Sequence, residues 1–264
     1  MREVVAALLV AAALGAGCSG DDAAAPAGSR ASSTPAAPTT APEPVSPEPP
    51  QNGACYRLTY DEAVAPTVDA APVRCRRPHT ARTFRVGRLD RGVEVDSARA
   101  QRKAQETCTQ RLGPHLGAGR EALRLSLVET VWFTPTLEEA AAGARWFRCD
   151  AIATAGAGRL LRLPRPLEGS LDALALCATA EPGRRASRRV ACSARHAWRA
   201  IATVDLGGSA YPTAQQVADA MQGTCRSRAR DAAADPLNLT WSEERPTRAQ
   251  WRAGQRYGVC WVPD

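Results

Sequence analysis

The first residues whose types and spacing suggest chemistry are two Cys-x-x-x-His sites, Cys75 with His79 and Cys192 with His196. A thiolate beside an imidazole is a zinc ligand pair in one setting and a nucleophile with its base in another. Structural zinc takes closely spaced ligand pairs, whereas every other cysteine here is at least 15 residues from its neighbour. A sulfur held in a disulfide is no nucleophile. The chain has only three histidines, and His115, in Gly113-Pro114-His115, reads as a turn residue. The sequence has no Gly-x-Ser-x-Gly, no glycine-rich phosphate loop and no carboxylate cluster. These residues call for no metal, no cofactor and no enzyme. His79 and His196 are expected to bond to backbone or water near a sheet end.

Arginine is the other candidate. The net charge of +7 is carried almost wholly by it, since Lys103 is the only lysine. Arg74, Arg76 and Arg77 flank Cys75, and Arg184, Arg185, Arg188 and Arg189 precede Cys192. Such clusters can dock on anionic polymer or lipid headgroups, and they can equally be solvated loops. The sequence calls for no nucleic-acid partner.

What positions these residues is an internal duplication. Pro135–Cys149 and Pro246–Cys260 both read Pro, seven residues, Gly, one residue, Arg, an aromatic, two residues, Cys. Cys108 and Cys225 each lie 33 residues beyond the cysteine of a Cys-x-x-x-His site. One four-cysteine module is therefore written twice, over residues 52–164 and 165–264.

The segment before the modules reads as targeting and tether. Arg2, the apolar run Val4 to Leu14 and Gly15-Ala16-Gly17-Cys18 resemble a lipoprotein signal over residues 1–18, with Cys18 as the lipidated anchor. An ordinary signal peptide cut near Gly17 is the alternative. Residues 19–51, ending in APEPVSPEPP, read as a Pro/Ala-rich disordered tether. Export would put the remaining eight cysteines in an oxidising compartment, and their even number implies disulfides.

Within the first module, strands are expected at Cys55 to Leu58, within Val73 to Leu89, at Leu123 to Leu127 leading to Trp132, and at Trp146 to Ala153. The main helix is expected from Ser97, capped by Asp96, to Leu112, stopped by Gly113-Pro114. Ala100, Ala104, Cys108 and Leu112 form its inward stripe. The second module repeats the order. A strand pattern runs over Val190 to Asp205, and a Thr213/Gln216 capping box opens a helix with Val217, Met221 and Cys225 inward. Leu237, Leu239 and Trp241 alternate as a strand, and a short helix precedes the closing strand Tyr257 to Val262. Each module is thus predicted to be a small α+β unit, an antiparallel sheet with one main helix on one face.

Four cysteines allow three pairings, and spacing alone does not choose. Placement on the elements does. Cys108 and Cys225 end the inward stripes of their helices, so they should meet Cys149 and Cys260 on the closing strands. Cys55 then pairs with Cys75 and Cys177 with Cys192, the same way in both copies and with no bridge between modules.

At these residues the sequence resembles the septum-formation family of exported, membrane-tethered actinobacterial proteins. Cys75-Arg76-Arg77-Pro78-His79 matches its middle element, and Trp251, Gly254, Arg256 and Cys260 its last. Position 140 is Ala where the second copy has Trp251, and Ala194-Arg195-His196 lacks the proline before His. The resemblance implies a cell-envelope or division role without implying a chemistry. The expectation is a lipid-anchored extracytoplasmic binding or scaffold protein, whose partner is an anionic envelope polymer or a division or envelope protein. A secreted hydrolase with an unrecognised site is the alternative.

Overall fold

The computed structural model describes residues 47–235 and 237–264. The expected signal, Cys18 and most of the expected tether lie outside the described residues. In the first half the elements are β1 (Cys55–Tyr56), α1 (Tyr60–Val64), β2 (Ala81–Arg88), α2 (Ala98–Leu116), α3 (Arg120–Arg124), β3 (Val128–Phe133), α4 (Leu137–Ala141), β4 (Trp146–Ala155) and β5 (Arg159–Leu160). The second half holds β6 (Leu176–Ala178), β7 (Arg189–Ala191), β8 (Trp198–Asp205), α5 (Ala214–Ala232), β9 (Ser242–Glu244), α6 (Arg248–Arg252) and β10 (Tyr257–Pro263). The sheet orders are β1-β2-β4-β3, with β5 beside β4, and β7-β6-β8-β10-β9, all antiparallel. Each half is an antiparallel sheet with one main helix on one face.

The repeated ending is scaffold, residue by residue. Thr136 and Thr247 cap α4 and α6 in reciprocal capping boxes with Glu139 and Gln250. Gly143 and Gly254 leave those helices at φ of 100° and 103°, where a Cβ would be strained. The motif arginines then cover the freed carbonyls, Arg145 donating to Ala140 O at 2.8 Å and Arg256 to Trp251 O. Both copies also carry a bulge at one register point. Phe84 is skipped between Thr83↔Asp150 and Arg85↔Cys149, and Ile201 between Ala202↔Cys260 and Ala200↔Trp261. In the second half this sends Ala202 and Cys260 to the α5 face while Ala200 and Trp261 face the other way.

Four disulfides staple the halves, Cys55–Cys75 and Cys108–Cys149 in the first, Cys177–Cys192 and Cys225–Cys260 in the second. Connectivity is identical in the two copies. Cys108 and Cys225 are buried within the sheet-facing stripes of α2 and α5 rather than at their ends, between Ala104 and Leu112 and between Met221 and Ala229. Replacing Cys177 and Cys192 together by Ala should cost about 3 kcal/mol, the chain-entropy value for a loop of about 15 residues. Urea unfolding reads this as a lowered midpoint, with little change if the bridge does not form.

Several expected elements differ. The main helix runs through Gly113-Pro114 to Leu116, because a proline in the last turn forfeits only one backbone bond and Gly117 caps the end. Ser97, not Asp96, is its N-cap, accepting from Ala100 N at 3.2 Å. Leu123 lies in α3, and strand begins only at Val128. The Val190–Asp205 pattern divides into β7 and β8 around the Cys192–His196 turn. The Leu237–Trp241 alternation forms no strand; Leu237 is 97% exposed and β9 starts at Ser242.

The sheet faces away from the main helices are covered as well. In the first half Tyr56, Leu58, Ala63, Phe133 and Ile152 form a core on the side away from α2, closed by the α1 segment. In the second half the equivalent side is closed by the first half. Leu112, Leu116, Leu127 and Val128 pack with Leu176, Ala200, Val259 and Trp261 in one cluster. Backbone bonds cross the same seam, from Leu127 N to Leu174 O (2.9 Å), Leu176 N to Leu125 O (2.8 Å) and Gly156 N to Arg189 O (2.8 Å). The two modules therefore share a core.

Candidate functional site

The paired Cys-x-x-x-His sites are absorbed by structure. The sulfurs of Cys75 and Cys192 are bridged. His79 is 2% exposed, with Nδ1 2.9 Å from Arg77 O. His196 Nδ1 lies 2.7 Å from Ala194 O, and its Nε2 lies 3.0 Å from Asp264 Oδ2. The Ala194 carbonyl, and then Asp264, raise its pKa above the ordinary histidine value. Cys177, His196 and Asp264 bring potential ligand atoms within 4.8 Å of one another. The sulfur of Cys177 belongs to a disulfide, however, so this donor set does not fit a metal.

His115 is not in a turn. It closes the last turn of α2, stacked on Phe84 with ring centroids 5.3 Å apart. Its Nε2 is 3.3 Å from Glu168 Oε1, and Glu168 Oε2 accepts from Arg82 at 2.9 Å. Burial lowers its pKa, partly offset by the Glu168 charge. Arg199 makes the matching contact in the second copy, 2.6 Å from the Asp264 carboxylate that His196 also meets. In each half, then, an arginine on the first long strand, β2 or β8, shares a carboxylate with a histidine.

The predicted arginines are anchored separately, one group at the Cys55–Cys75 bridge and the other on the β6–β7 turn. Among the described residues no hydrogen bond or ion pair joins the two groups. Arg74, Arg76, Arg77, Arg185 and Arg188 are exposed. Arg184 is paired with Glu181 at 3.0 Å and Arg189 with Glu244 at 3.2 Å, which leaves them less charge to offer a partner.

Arg189 reaches a cleft at the seam between the halves, a cavity of about 390 Å³ also lined by Arg124, Ser126, Thr154, Gln250 and Tyr257. The Arg124 guanidinium lies 4.1 Å above the Tyr257 ring and 2.7 Å from Asp205. Burial pushes the Tyr257 hydroxyl above the usual tyrosine range. Thr154 Oγ1 is buried in the cleft wall without a hydrogen-bond partner. The volume lies in the range of small-ligand sites, and this lining suits a polar or anionic group.

A family model described as septum formation matches residues 52–260. The chain belongs to the septum-formation family. No curated protein and no solved structure matches it. In this member of the septum-formation family the motif that carries the resemblance builds turns, caps and bridges. The cleft residues Arg124 and Thr154 lie outside that motif, and sequence reasoning missed them. Tyr257 was signalled only as the aromatic that follows the motif arginine.

Proposed function

We propose that the protein is a non-catalytic binding module of the cell envelope, anchored through a lipid on Cys18 and set off the membrane by the 19–51 tether. Residues 52–164 and 165–264 act as one paired unit in this reading. It is supported by the match to the septum-formation family, which links the protein to division or envelope partners. One observation carries it: both repeated Cys-x-x-x-His sites are consumed by disulfides and backbone contacts, while guanidinium groups stay exposed and line the seam. A hydrolase built on His79 would need that ring to reach substrate, and it is buried.

The partner in this reading is an anionic envelope polymer. Replacing Arg76, Arg77, Arg185 and Arg188 by Glu should reduce binding to isolated cell-wall polymer at least tenfold with the thermal midpoint unchanged. Wild-type binding should weaken as salt rises, because exposed charge contacts are screened. Salt-insensitive binding would count against the reading. For the anchor, Cys18→Ala should move the protein from the membrane to the soluble fraction. Retention of that variant, with an unmodified Cys18 in the wild type, would defeat the lipid anchor.

A further inference from the structure

Each copy holds one disulfide that ends on the cysteine of its Cys-x-x-x-His site, and the charges around the two bridges differ. In the second copy Cys177 is fully buried while Cys192 is half-buried, so an outside molecule meets this bridge at Cys192. A ring nitrogen of His196 and a carboxylate oxygen of Asp264 lie within 4.8 Å of the Cys177 sulfur. Both nitrogens of His196 face oxygen acceptors, Nδ1 the Ala194 carbonyl at 2.7 Å and Nε2 the Asp264 carboxylate at 3.0 Å. A neutral imidazole has one N–H to donate and the charged ring has two, so these acceptors fit the imidazolium. The raised pKa of His196 agrees with that geometry. Strand register sets Arg199 opposite Cys177, and its Nε donates to the same Asp264 oxygen at 2.6 Å. Two cations thus share one carboxylate beside a buried sulfur.

The bridge of the first copy matches this one in connectivity and exposure, with Cys55 fully buried and Cys75 half-buried. Arg82 also stands opposite Cys55, as Arg199 does opposite Cys177. Its carboxylate, however, is Glu168, which is shared with His115 and not with His79. Among the described residues His79 has one oxygen partner, the Arg77 carbonyl, and enters no ion pair. The first bridge therefore lacks the imidazolium that the second has. In the other two bridges, Cys108–Cys149 and Cys225–Cys260, both residues are fully buried.

A disulfide opens fastest when the departing sulfur leaves as a stabilised thiolate, and a neighbouring imidazolium or guanidinium provides that stabilisation. Cys177 is the sulfur so placed, and Cys192 is the one that an attacking thiolate reaches.

We propose that Cys177–Cys192 is a thiol-exchange site, opened in the folded protein by a dithiol. One thiolate of the dithiol, its proton lost to water, attacks the Cys192 sulfur. The mixed disulfide forms as the Cys177–Cys192 bond breaks, and the electron pair leaves on Cys177 beside His196 and Arg199. The second sulfur of the dithiol, deprotonated in turn, attacks the first and expels Cys192, which takes a proton from water. Two electrons pass in all. The dithiol closes to a disulfide, and the bridge becomes a thiolate at Cys177 and a thiol at Cys192. Cys225–Cys260 still ties α5 to β10 when this bridge is open.

The test treats the native full chain with limiting dithiothreitol at neutral pH, alkylates free thiols at intervals and maps the labelled peptides. Cys177 and Cys192 should be labelled about tenfold faster than Cys55 and Cys75. His196→Gln keeps hydrogen-bonding groups at this position without the charge, and should slow the second bridge to the rate of the first. His196→Lys restores a cation and should keep it fast. A folding defect does not imitate the slow variant, because a loosened chain loses its bridges sooner. Glutathione, a monothiol, should be trapped on Cys192 with the free thiol at Cys177. Equal opening of the two bridges, a wild-type rate in His196→Gln, or glutathione on Cys177 overturns the proposal.

Discussion

Arg148→Met should lower the stability of the protein by about 3–5 kcal/mol, the usual cost of breaking one side of a buried ion pair. Arg148 is 3% exposed and Asp150 is fully buried, with Nη2 and Oδ2 3.2 Å apart. Tyr56 and Phe133 clasp the guanidinium at 4.0 Å and 4.6 Å from their ring centres, and Thr83 Oγ1 donates to Asp150 Oδ1 at 2.6 Å. Burial already pushes the Asp150 carboxyl above the ordinary range, against the pull of Arg148. Without Arg148 the folded-state pKa rises further. A raised carboxyl pKa favours the folded state at low pH, and that benefit is lost as pH climbs from the unfolded value toward the folded one. The deficit of Arg148→Met should therefore be larger at pH 8 than at pH 5, as urea titrations at the two pH values would show. The second half suggests the remedy. By register its counterparts of Thr83, Arg148 and Asp150 are Ala200, Val259 and Trp261, all apolar. Arg148→Val with Asp150→Leu should recover most of the loss, since matched apolar replacement of a buried pair is often neutral or better. A double variant as unstable as Arg148→Met would show that the pair is not the source.

Trp261→Ala should cost about 3–5 kcal/mol, the range for truncating a buried large side chain. The ring is 1% exposed and packs in the cluster that both halves share. The effect should not stay in the second half. Amide hydrogen exchange should speed up in β3 and at the end of α2 as well as in β10, with a single urea transition for both halves. Faster exchange confined to residues beyond about 165 would mean that the modules hold separate cores.

Much of this fold is legible because its signals are local. A capping box needs residues three apart, as in Thr213 with Gln216, and the α2 and α5 stripes follow from helical period alone. The position of a cysteine on such a stripe then says which way it faces. Where the sequence misleads, a local pattern is read with the wrong period or loses to a neighbour. Leu123, Leu125 and Leu127 alternate like a strand, but Arg120-Glu121-Ala122-Leu123-Arg124 are strong helix formers and take the first of them into α3. Arg148 and Asp150 alternate with Phe147, Cys149 and Ala151 as a solvated face would, yet they are buried. That burial, the shared core and the seam cleft depend on contacts between distant parts of the chain, so no local spacing reveals them. The arginine clusters are legible as charge, and Glu181 stands only three residues from Arg184, while the Glu244 carboxylate that holds Arg189 is visible only in three dimensions.

The two sheets are not closed alike. The first carries its own lid, the α1 segment between Cys55 and Cys75, whereas the second borrows its lid from its neighbour. A polypeptide delivered from its N-terminus therefore supplies first the half that carries its own lid. Its Leu112, Leu116, Leu127 and Val128 stay open until Leu176, Ala200, Val259 and Trp261 arrive, so neither half closes its last apolar face before the other is made.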